Sequence, residues 1–71
     1  MSRPTAVERA RNLAAAAARE IATFAPRDIE SYGAWEFWLD SEEAEVLEHL
    51  SNPERVRVHN AFVGAWQGEI R

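Results

Sequence analysis

Between Asp28 and Glu54 the chain carries Asp28, Glu30, Glu36, Asp40, Glu42, Glu43, Glu45, Glu48 and Glu54, and not one lysine or arginine. Tyr32, Trp35, Phe37 and Trp38 lie in the same stretch. Carboxylates at this density attract a basic partner from a distance, and aromatic rings anchor it after docking. The chemistry on offer is recognition of a cationic surface. The candidate partner-binding residues are Asp28, Glu30, Tyr32, Glu36, Phe37, Asp40, Glu42, Glu43, Glu45 and Glu48. Trp35 and Trp38 are three positions apart and are expected in the core with Phe24, Phe62 and Trp66. Tyr32 and Phe37 lie off that face and are expected to be exposed.

Other chemistries find little to build on. His49 and His59 are the only histidines. Glu45 and His49 are four apart and would share one face of an α-helix, but two ligands do not make a metal site and no H-E-x-x-H occurs. Ser31, Ser41 and Ser51 are hydroxyls outside any G-x-S-x-G setting. Neither G-x-x-x-x-G-K-S/T nor G-x-G-x-x-G is present, so no phosphate-cradling loop is expected. His59 falls on an apolar stripe and reads as a core or boundary residue. No catalytic residue, cofactor or metal is expected, and the chain reads as a non-enzyme.

The net charge of −4 conceals a division along the chain. Residues 1–27 carry +3, residues 28–54 carry −9 and residues 55–71 carry +2. Such segregation speaks to partners, not to fold. The basic ends could also fold onto the acidic middle and neutralise it internally. With 71 residues the chain makes one domain, and with no cysteine its stability must come from helix packing or association. No apolar run is long enough to span a bilayer and no secretory pattern opens the chain, so a cytoplasmic location is expected.

The elements that must position these residues read as helices, at roughly 5–25, 30–39, 41–51 and 53–67. Thr5 and Glu8 have capping-box spacing. After them Val7, Ala10, Leu13, Ala14, Ala17, Ile21 and Phe24 form one stripe, which Pro26 ends. The alanines in this stripe admit a close neighbour, so helix 1 could pair with a second copy of itself. Residues 30–39 are read as a short helix, loosened at Gly33, because a lone strand would find no partner. Asp40 is expected to cap the third helix, with Glu43 completing a capping box and Val46, Leu47 and Leu50 on its apolar side. Asn52 is expected to cap the fourth, with Pro53 at its first position. Val56, His59, Phe62, Val63 and Trp66 would form that helix's buried face, and Gly68 would end it. Gly64 and Gly68 suggest a close helix contact. The fold class is all-α, a small three- or four-helix bundle.

The segment Leu50-Ser51-Asn52-Pro53-Glu54-Arg55-Val56-Arg57-Val58 resembles the L-(S/A)-(D/N)-P-x-R-(L/I)-R-I segment of ArsR-type winged-helix repressors. In that family it opens a scaffold helix. The resemblance covers about nine residues and carries over no functional residue. Size and charge are also similar to those of phage and mobile-element inhibitors, including inhibitors of CRISPR effectors. The expected function is a non-enzymatic acidic interaction module that inhibits or regulates a basic or nucleic-acid-handling protein. The alternatives are a small dimeric DNA-binding regulator and a structural or assembly subunit. A homodimer is compatible with each; direct nucleic-acid binding and a membrane partner are not expected of the leading reading.

Overall fold

A computed structural model describes residues 5–25 and 29–70. The described residues form an all-α bundle with no strand. Its elements are α1 (Ala6–Phe24), α2 (Ser31–Leu39), a 3-10 helix (Glu42–His49) and α3 (Asn52–Ile70). The two 19-residue helices α1 and α3 run parallel. Arg11 shares a surface depression with Arg57, Asn60 and Ala61, while Arg19 meets Glu69 further along. Parallel neighbours need a crossover, and α2 with the 3-10 helix supplies it.

Thr5 caps α1 as its spacing predicts. The Glu8 N–H donates to Thr5 Oγ1 at 3.2 Å, and the Thr5 N–H donates to Glu8 Oε2 at 3.4 Å. The interface between the long helices matches small residues to large ones. From α1 come Ala10, Ala14, Ala17, Ala18 and Ile21; from α3 come Val58, Phe62 and Trp66. Alanine lets the two backbones approach, and the bulky α3 side chains fill the space between. Trp38 of α2 stacks on Phe62, with ring centres 6.1 Å apart. Trp35, half-buried, meets Phe62 edge to face at 5.4 Å and His59 at 4.8 Å.

Several sequence expectations change. Phe24 and Val56 are exposed instead of buried, and Val58 takes the core position on α3. The helix α3 rolls so that positions 58, 62 and 66, four apart, face α1; Val56 then points away. It also continues past Gly68, since a single glycine costs only about 1 kcal/mol inside a helix. Gly64 and Gly68 are exposed with open space around them, so they make no close contact within the chain. Gly33 does not interrupt α2.

The third element differs most. Asp40 ends α2, Ser41 precedes the next element without a side-chain cap, and that element is a 3-10 helix, not an α-helix. Ala44, Leu47 and Leu50 are buried at strict three-residue steps. A helix with three residues per turn stacks such positions in one column. An α-helix would carry Leu50 about 120° away from Ala44. The same geometry puts Glu42, Glu45 and Glu48 in a second, exposed column. Glu45 and His49, four apart, are therefore on different sides, which removes the pairing an α-helix would have given them.

The start of α3 also differs. Ser51, not Asn52, is the cap: Ser51 N–H and Oγ both donate to Glu54 Oε1 at 3.0 Å, and the Glu54 N–H donates to Ser51 Oγ at 3.4 Å. Pro53 then occupies the second helical position. Its missing N–H costs nothing there, because first-turn N–H groups have no intrahelical acceptor.

Candidate functional site

At the C-terminal end of α1 the crossover leaves an open groove of about 340 Å³. From α1 it is lined by Ala17, Glu20, Ile21 and Phe24, from α2 by Phe37 and Trp38, and from the crossover by Ser41, Glu42 and Glu43. Phe24 and Phe37 meet edge to face at 5.9 Å and bridge the two helices. Both rings are more than half exposed, at 60% and 56%. Glu20, Glu42 and Glu43 stand exposed around this apolar floor, and among the described residues no basic side chain lines it.

The rim is held by Trp38, which is buried. Its indole Nε1 donates to Glu43 Oε1 at 3.2 Å, and its carbonyl accepts from Ser41 Oγ at 2.6 Å. Glu43 was expected to complete a cap for an α-helix; it instead receives the one polar atom of a core tryptophan. That bond satisfies a donor that would be costly to bury alone. It also fixes a carboxylate at the groove's edge.

The ten candidate residues are not brought to one place. Phe37, Glu42 and Glu43 line the groove. Glu45 and Glu48 line a separate depression of about 240 Å³ with Leu39, Leu47 and Arg55. Glu30, Tyr32, Glu36 and Asp40 are exposed and line neither. Asp28 lies outside the described residues. Two groove residues, Glu20 and Phe24, were missed because they belong to helix 1, outside the acidic stretch. The available signal was their four-residue spacing at the end of that helix, just before a proline.

Among the described residues the one ion pair is Arg19–Glu69, at 4.0 Å, and neither partner belongs to the acidic block. Arg55 Nε donates to the Leu47 carbonyl at 2.9 Å, closing the end of the 3-10 helix. Glu54 has a displaced titration. The Ser51 backbone N–H and then its hydroxyl hold this carboxyl below the usual carboxylate range; slight desolvation opposes them, and Arg57 adds a smaller pull downward. No cluster of three or more metal-ligating side chains occurs among the described residues, and no described helix is long and apolar enough to cross a membrane.

Compared with protein-family models, with curated proteins and with solved structures, the chain matches none.

Proposed function

We propose that this chain is a non-enzymatic interaction module that binds a basic protein surface through the groove at Phe24 and Phe37. It would inhibit or regulate a nucleic-acid-handling protein by occupying that partner's cationic surface, in the manner of phage and mobile-element inhibitors. One observation carries the reading: an exposed aromatic pair sits on an apolar floor rimmed by Glu20, Glu42 and Glu43, with no basic side chain among the described residues that line it. Apolar anchors with a polar rim are the usual anatomy of a recognition site. The groove carboxylates are all exposed, whereas paired carboxylates in acid–base catalysis depend on burial. We place the module in the cytoplasm, where a chain without cysteine needs no oxidising environment.

The two alternatives have less support. A DNA-binding regulator needs a basic face, and a duplex reader commonly makes about six to ten phosphate contacts. Among the described residues, Arg11 and Arg57 are the only guanidiniums sharing their depression. An assembly subunit pairing through the alanines of helix 1 loses its surface, because Ala10, Ala14 and Ala18 are fully buried against the rest of the chain. A homodimer would have to use another face.

The test is a titration of the chain with a basic amphipathic peptide at two salt concentrations. Neutralising Glu20, Glu42 and Glu43 to glutamine should slow association and flatten its salt dependence. Glu43→Gln keeps an acceptor for the Trp38 indole, so the fold is retained. Neutralising Glu45 and Glu48, which lie outside the groove, should change association less. Equal effects of the two sets would reduce the groove to one part of a uniformly acidic surface.

A further inference from the structure

The groove is lined by side chains of two different chemistries, and each sets a requirement on the group that enters. This step rests on the groove being the binding site, and it names the group that enters. One part is aromatic: Phe24 and Phe37 meet at 62°, so the pair presents a ring face and a ring edge while both remain open to solvent. The other part is carboxylate, with Glu20 one turn from Phe24 on α1 and Glu42 and Glu43 on the crossover. Glu43 is pre-positioned. The indole that holds its Oε1 belongs to Trp38, only 2% exposed and unable to turn away, so Oε2 is presented as an acceptor.

An aliphatic anchor entering here would strip water from carboxylates and return no hydrogen bond. An ammonium is compact and strongly hydrated, and it meets a carboxylate as a point charge. A guanidinium is planar and weakly hydrated. Its face lies on an aromatic ring while its N–H fork reaches carboxylates at the edge. We infer that the groove is a receptor for an arginine side chain presented by a partner protein, with Phe24 and Phe37 as the stacking surface and Glu43, aided by Glu20 and Glu42, as the acceptor.

Two amphipathic peptides of equal length and charge, one with arginine as its only basic residue and one with lysine, are titrated into the full chain by calorimetry. The arginine peptide should bind about tenfold more tightly. Replacing both Phe24 and Phe37 by leucine should bring the two affinities close together while binding itself persists through the carboxylates. Glu43→Gln should weaken the arginine peptide more than the lysine peptide. If the parent binds both peptides equally, the arginine assignment fails and the acidic groove survives as a general cation site. If the preference survives loss of both rings, the assignment fails as well. If neither peptide binds at low salt, the assignment and the proposed function fall together.

Discussion

Phe24 and Phe37 contribute ring surface to solvent, whereas Phe62 and Trp66 contribute it to the core, and truncation should separate the two pairs. Phe62→Ala and Trp66→Ala should each destabilise the fold by about 3–5 kcal/mol in chemical denaturation. Phe24→Ala and Phe37→Ala should cost under about 1 kcal/mol each, because more than half of each ring is already wet. Equal losses would mean that the exposed pair is structural. A second prediction concerns Glu54. Its carboxyl titrates below the usual range because Ser51 donates to the charged form. A depressed folded value contributes stability that is complete above the unfolded value of about 4.3 and is lost as pH falls through the folded value. Glu54→Gln should therefore flatten the acid limb of the stability profile, and Ser51→Ala should move the Glu54 titration, followed by NMR, back upward. Ser51-x-x-Glu54 was legible as a capping box. Asn52-Pro53 offers a competing start signal one residue later, but the reciprocal Ser51–Glu54 bonds satisfy more groups than an Asn52 cap with Pro53 behind it.

Among the elements, α1 was the most legible, because its cap and its stripe pointed to the same helix. What occupies the stripe was not legible: alanines admit a close neighbour without saying whether it is another copy or another part of the chain. Here α3 fills that place. Ala14→Leu should accordingly lower stability by about 1–3 kcal/mol through overpacking. It should leave the oligomeric state unchanged in sedimentation; a shift in mass at constant stability would restore helix 1 as an association surface. The 3-10 helix was mistaken for an α-helix because Asp40 and Glu43 have capping spacing. The contrary signal was the three-residue period of Ala44, Leu47 and Leu50, which suits three residues per turn. That period decides the site as well: it stacks Glu42, Glu45 and Glu48 in one column, with Glu42 at the end that reaches the groove.

At the scale of the molecule, the segregation of charge survives folding among the described residues. The acidic middle becomes the crossover, and no ion pair among the described residues neutralises it. The sequence identified this region and its exposed Phe37, but it treated the acids as one surface. Folding divides them, giving Glu42 and Glu43 to the groove and Glu45 and Glu48 to another side, and it adds Glu20 and Phe24 from a helix that reads as basic. Partition of this kind depends on how α1 meets the crossover, which no local pattern encodes. The proposed entry of cationic partners at this groove can be read out residue by residue. Its most direct measurement is the map of NMR shift changes when the arginine peptide is added to labelled protein. The Trp38 indole N–H signal should move early, because its acceptor Glu43 is at the rim, together with amides from Ala17 to Phe24 and from Phe37 to Glu43, while the Trp66 indole stays in place. Shifts centred on Glu45 and Glu48, or spread evenly over every acidic residue with the Trp38 indole unmoved, would contradict it.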